Sequence, residues 1–246
     1  GAVYNIKNGN LLYHGIVPFD DNGRLSKVKV INNKEYSGKD FFDAVDRVVR
    51  DACTDMRNNI EKSDNIDFMF YLWCGKYSPL FGKNRITTFE NYFVEDKDTH
   101  KEQSNPYYTY AYEEKGADMI FENFGLDKNK AKIINGHVPV KVKDGEDPIK
   151  ANGKVFVIDG GLSKGYQTKT GIAGYTLIYD SVHFTLASHK PFEKGKFNTP
   201  ITKEIETVAD RLYVKDTDTG QSIQRQIEDL RDLKEAYKNG LIREIY

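Results

Sequence analysis

Residues 132–161 read KIINGHVPVKVKDGEDPIKANGKVFVIDGG. Ile133-Ile134 and Val155–Ile158 are short apolar runs of the length expected for buried strands. Each runs into a polar, glycine-bearing loop, Asn135-Gly136-His137 after the first and Asp159-Gly160-Gly161 after the second. Glycine lets backbone approach closely, and a strand end fixes where a neighbouring imidazole points. His137 is therefore well placed to reach a metal ion or an anion.

A second strand-end histidine lies upstream, where Leu11-Leu12-Tyr13 runs into His14-Gly15. Two imidazoles presented from neighbouring strand ends can share one metal, because bonds of about 2.1 Å place the two nitrogens roughly 3–4 Å apart. Two histidines do not complete a catalytic site; carboxylates or an amide must join them. Asp159 is either an Asx turn at a strand end or a carboxylate that orients a ligand histidine from behind. The glycine-rich stretch Gly160–Gly174 reads as a loop that can cradle phosphate with backbone amides and Lys164 or Lys169, although it contains no GxxxxGK[ST]. Lys76, in Cys74-Gly75-Lys76, is a phosphate partner or simply an exposed cation. His100 sits in a polar segment and is expected to be solvated. His183 reads as structural on a strand face, and His189 as a possible pocket residue without an assigned role. There is no GxSxG and no CxxC, and neither Cys53 nor Cys74 has a histidine partner in sequence. Serine and cysteine nucleophiles and a structural zinc site are disfavoured.

Composition narrows the classes further. The 246 residues carry 36 Lys plus Arg and 37 Asp plus Glu, a net charge of −1. No basic field points to nucleic acid, and no acidic excess points to disorder. Two cysteines fit a reducing cytosol and read as semi-buried thiols. No window approaches the roughly 20 apolar residues of a membrane span, and no signal peptide is visible. The expectation is a cytoplasmic protein without a membrane partner. The chain opens on Gly1, which reads as a fragment or a processed product.

The element pattern is an α/β mixture with many short strands. Ser37-Gly38-Lys39-Asp40 resembles a capping box, and the helix after it, to about Asp55, carries Phe41, Phe42, Val45, Val48, Val49 and Ala52 on one stripe. Lys27–Ile31 alternates as an exposed strand. Asp67–Trp73 is a strand or a buried helical segment. Glu113–Phe124 reads as a helix stopped by Gly125. Tyr175–Tyr179 and His183–Ser188 form a hairpin. A helix over about 219–239 carries Ile223, Ile227, Leu230, Leu233 and Tyr237 on an apolar face. This face packs on the chain's own sheet or between subunits, so a homo-oligomer is possible. No internal domain boundary stands out over 1–246.

Longer strings carry a resemblance. FENFGLDKNKAKIINGHVPVKVKDGEDPIKANGKVFVIDGGLSKGYQTKTGIAGYTLIY, LLYHGIVP, FYLWCGKYSPLFGKNRITTFENYF and THKEQSNPYY closely resemble the C-terminal part of bacterial class III fructose-1,6-bisphosphatases. That family is similar to the calcineurin-like metallophosphatases, which implies two packed mixed sheets flanked by helices with a dinuclear metal site at the strand ends. The resemblance implies that His14, in the histidine-glycine element, and His137, on the first histidine of the GHxH element, bind the same metal. The second histidine of that element is Pro139 here. It also implies Lys76 as a phosphate-binding cation. Of the early elements DxH, GDxxDR and GNH[ED], the last two are absent, and the single DxH, Asp98-Thr99-His100, lies in a polar segment rather than at an early strand end. The chain therefore looks like the C-terminal portion of the enzyme, lacking a metal-binding N-terminal portion as its partner and inactive in isolation. The implied reaction is Mn²⁺- or Mg²⁺-assisted hydrolysis of the 1-phosphate of a sugar bisphosphate, fructose 1,6-bisphosphate, in gluconeogenesis. The alternatives are a non-catalytic binding or assembly module of the same fold, or a metallophosphatase for another phosphoester.

Overall fold

The computed structural model describes residues 2–196 and 198–242. It divides into two compact units, Gly1–Thr176 with Ala187–Ile201, and Leu177–Leu186 with Thr202–Tyr246. In chain order the elements are β1 (Tyr4–Lys7), β2 (Asn10–Tyr13), β3 (Val28–Lys29), β4 (Glu35–Tyr36), α1 (Gly38–Arg57), α2 (Asp64–Cys74), α3 (Thr88–Phe93), α4 (Tyr107–Tyr110) and α5 (Glu114–Phe124). They continue with β5 (Ile133–Asn135), β6 (Ile149–Lys150), β7 (Val155–Val157), α6 (Lys164–Thr170), β8 (Gly174–Tyr179), β9 (His183–His189), β10 (Ile201–Thr207) and α7 (Asp218–Lys238).

The first unit is built on a mixed five-stranded sheet in the order β1-β2-β5-β7-β6. β1 and β2 form an antiparallel hairpin around Asn8-Gly9, both at positive φ (49° and 76°). Asn and Gly tolerate that conformation, and the turn matches the twist of the strands it joins. β2 runs parallel to β5, Leu11 opposite Ile133, and β5 runs parallel to β7, Ile133 opposite Val155. The two apolar runs of residues 132–161 are thus adjacent parallel strands, and their polar loops emerge at the same sheet edge.

Side chains alternate across the sheet. Leu11, Ile133 and Val155 join Phe41, Phe42 and Val45 of α1 and Ile120, Phe121 and Phe124 of α5 in one buried core. Leu12 and Ile134 instead line a cavity of about 1080 Å³. Helices cover one face, and the strand-end loops edge the cavity on the other.

Several local expectations change. Asp67–Trp73 belongs to α2, and it is not buried throughout: Phe70 and Trp73 are each 65% exposed. The glycine-rich stretch after Gly161 is not wholly a loop, because Lys164–Thr170 forms α6, with the Thr170 hydroxyl bonded to Gly160 O (2.8 Å). Local glycine density suggests a loop; the buried Thr170 anchor decides for a helix. Ser37 occupies the N-cap position of α1, but its side chain makes no capping bond. Asn123 Oδ1, from α5, accepts the Lys39 amide at 2.7 Å instead. The expected exposed strand over Lys27–Ile31 shrinks to β3, and Val28 and Val30 are buried.

In the second unit, the tip of the β8–β9 hairpin pairs with β10, and α7 follows. The apolar face of α7 is largely open: Leu230 is 64% and Ile223 49% exposed. No helix among the described residues is long and apolar enough to cross a membrane.

Candidate functional site

His14 follows β2, and His137 follows β5 after Gly136. The register between β2 and β5 brings the loops together, and the backbone ties them: Gly136 N donates to His14 O at 3.0 Å. Asn135, 2% exposed, adds a second tie by donating from Nδ2 to Gly15 O (3.1 Å) and to the Tyr107 hydroxyl (2.9 Å). A carbonyl only accepts, so this fixes the amide's orientation. Gly15 cannot be another residue without displacing the backbone of Pro79, whose carbonyl oxygen lies where a Cβ would stand.

The imidazoles meet with His14 Nε2 3.0 Å from His137 Nδ1. Their ring planes are 73° apart. His137 Nε2 lies 2.8 Å from Phe81 O. That carbonyl only accepts, so Nε2 carries the proton and, in the neutral ring, Nδ1 presents a lone pair towards His14. A metal-binding histidine is commonly held in this way, with its other ring N–H given to a carbonyl.

His137 also carries backbone strain. Its φ is 71°, and Val138 N donates to Gly136 O at 2.9 Å, closing a γ-turn around it. This turn is rare and costly for a residue with a Cβ, on the order of 1–3 kcal/mol. Such outliers persist where the surrounding structure holds them, and here two strand ends and the Phe81 carbonyl do so.

Asp159 lines the same cavity and forms an Asx turn, accepting Gly161 N on Oδ1 at 2.8 Å. Its charge favours the protonated His14. Partial burial, followed by the neighbouring His137, outweighs it and holds the His14 pKa below the ordinary histidine value. In the neutral pair the 3.0 Å contact is a hydrogen bond from His14 Nε2–H to His137 Nδ1, and a cation held between the two nitrogens would take the place of that hydrogen.

Lys76 and Lys164 lie apart from this arrangement. Lys76 is exposed, its ammonium 5.0 Å from the Tyr77 ring centroid, and lines a separate small polar cleft with Asp20 and Asp21. Lys164 opens α6 and is exposed. Neither lines the histidine cavity. His100, expected in solvent, is half-buried with its ring bonded to Val94 O (2.8 Å). Cys53 is exposed rather than semi-buried. Sequence reading overlooked Asn135 and the Phe81 carbonyl. The tripeptide Asn-Gly-His gave a signal for the first; a backbone carbonyl gives none.

The donor set fits part of a metal site. Two imidazole nitrogens stand at the separation that ligands of one ion adopt. Among the described residues no third His, Cys, Asp or Glu completes a group able to hold a metal.

Fold and site together define a mixed α/β protein with paired histidines at parallel strand ends. The chain belongs to the family described as Firmicute fructose-1,6-bisphosphatase, which matches residues 1–239. It is 50% identical over 251 aligned positions to a class 3 fructose-1,6-bisphosphatase of Clostridium botulinum (strain Kyoto / Type A2), covering 99% of this chain and 37% of that protein. A class 3 fructose-1,6-bisphosphatase of Clostridium tetani (strain Massachusetts / E88) is 48% identical over 251 positions, covering 99% of this chain and 38% of the relative. The chain thus spans little more than a third of the length of the curated relatives it matches. No solved structure matches it.

Proposed function

We propose that this chain is the C-terminal portion of a cytoplasmic, metal-dependent fructose-1,6-bisphosphatase with a calcineurin-like fold. The reaction is hydrolysis of the 1-phosphate of fructose 1,6-bisphosphate to fructose 6-phosphate and phosphate. The observation that carries this reading is the 3.0 Å approach of His14 Nε2 and His137 Nδ1 at adjacent strand ends. The half-identity to class 3 enzymes supports the substrate.

His14 Nε2 and His137 Nδ1 would hold one Mn²⁺ or Mg²⁺. The Phe81 carbonyl keeps the His137 proton on Nε2 and so leaves Nδ1 free to ligate. Asp159 shapes the pocket behind His14. Divalent ions supply the activation of water for attack on phosphorus and the neutralisation of phosphoryl oxygens. These ions prefer oxygen ligands, so two imidazoles alone hold them weakly. The remaining ligands would come from a further portion of the protein, and this chain by itself should turn over no substrate.

The test measures phosphate release from fructose 1,6-bisphosphate with Mn²⁺. In the intact enzyme, His14→Ala and His137→Ala should each lower kcat by at least about a hundredfold, on the scale of losing an orienting ligand. Wild-type rates in both variants would refute the assignment, as would robust turnover by residues 1–246 alone. A second reading, a non-catalytic assembly module, is favoured by the open apolar face of α7. Sedimentation equilibrium separates the two, because an assembly module associates through Leu230 whether or not metal is present.

A further inference from the structure

The histidine cavity has another polar wall. His189, at the end of β9, and Thr176, on β8, both line it, and Thr176 Oγ1 lies 2.8 Å from His189 Nε2. Glycine packing brings this wall to the site. The backbone at Gly160, just beyond β7, crosses that at Gly174 so closely that a Cβ on Gly160 would lie 2.5 Å from Gly174 Cα. Tyr175 N donates to Ile158 O at 3.1 Å, and Ala173 N to His189 O at 2.9 Å. The root of the hairpin is thereby fastened beside Asp159.

The pair keeps one donor beyond its mutual bond in either of its neutral forms. If the Thr176 hydroxyl donates to Nε2, His189 carries its proton on Nδ1. If Nε2 donates to Oγ1, the hydroxyl hydrogen is free. A wall with a guaranteed donor suits an anionic oxygen. It shares a cavity of about 1080 Å³ with the two nitrogens assigned to the metal, room enough for a sugar bisphosphate.

We infer that His189 and Thr176 form the subsite for the substrate phosphate that is not cleaved. This rests on the proposed phosphatase reading and adds a binding role for residues outside the metal grip. Contact with a group distant from the reacting phosphorus changes binding more than chemistry.

Steady-state kinetics of the intact, Mn²⁺-supplied enzyme provides the test. His189→Ala should raise KM for fructose 1,6-bisphosphate by about tenfold, the size of one charge-assisted hydrogen bond, with kcat within about threefold of wild type. The inhibition constant of fructose 6-phosphate, which retains the uncleaved phosphate, should rise in parallel. That of inorganic phosphate should not move. Thr176→Val should give the same pattern at smaller amplitude, and it stands in if His189→Ala does not fold. Unchanged KM, or an equal loss of affinity for inorganic phosphate, overturns the subsite while leaving the phosphatase reading intact. A wild-type enzyme without activity on fructose 1,6-bisphosphate overturns both.

Discussion

His137 holds an imidazole in a backbone conformation that costs stability. Its left-handed φ of 71° suits glycine, yet the position holds an imidazole tied to Phe81 O and facing His14. Comparing His137→Gly with His137→Ala isolates the backbone, since both lose the ring. The glycine variant should be more stable by about 1 kcal/mol in urea unfolding. Equal stabilities would remove the strain argument. Glu102 offers a pH-dependent counterpart. Its carboxylate bonds Lys83 Nζ (2.5 Å) and accepts the Thr87 amide (3.0 Å). The Lys83 ammonium first, and then the Thr87 amide, hold its pKa below the usual glutamate value despite partial burial. A lowered folded pKa contributes stability above the unfolded value of about 4.3, and that contribution fades as pH falls through the folded value. Glu102→Gln should therefore cost about 1 kcal/mol at pH 7, and the gap to wild type should close in acid below pH 4. A gap that persists unchanged at low pH would show that the charge is not responsible.

At the scale of elements, two junctions fix how neighbouring segments pack. The first is the Gly160–Gly174 crossing, where backbone meets backbone and neither side can yield like a flexible side chain. Gly160→Ala should destabilise by about 2–4 kcal/mol, comparable to the larger single-site losses, and should disturb the Thr176–His189 wall before it disturbs β5. Amide chemical shifts mapped along β8 and β5 would reveal the order. The second junction is the start of α2. Ser63 Oγ accepts the Ile66 amide (3.2 Å) and donates to Asp55 Oδ2 (2.6 Å). One side chain thus caps α2 and fastens it to the last turns of α1. Ser63→Ala should cost about 1–2 kcal/mol in thermal unfolding, the range of a lost cap. A smaller loss would mean that packing between the helices already fixes the turn.

For the whole molecule, the division into two units carries an energetic expectation. The buried core gathers β2, β5 and β7 with α1 and α5, all in the first unit. In the second, the apolar face of α7 stays open, with Gly220 its buried residue among those described. Segments with few buried apolar contacts open at lower free energy. Amides of α7 should exchange with solvent under conditions where those of β5 and β7 remain protected. Uniform protection across the chain would contradict this. The chain's own periodicity determined that β5 and β7 are strands, that α1, α5 and α7 are helices, and that His14 and His137 end strands beside glycine. Those signals are local: apolar spacing and the freedom that glycine gives a turn. The helix inside the glycine-rich stretch was not legible, because it depends on Thr170 reaching Gly160 O. Neither was the open face of α7, since amphipathic spacing is the same whether or not a partner covers it. The tertiary structure alone decided that two residues 123 positions apart stand 3.0 Å from each other, with a backbone carbonyl choosing the tautomer of one of them. It also brought His189 to their cavity through a crossing that only glycine permits. Such contacts follow from strand register and close packing, and spacing along a chain encodes neither.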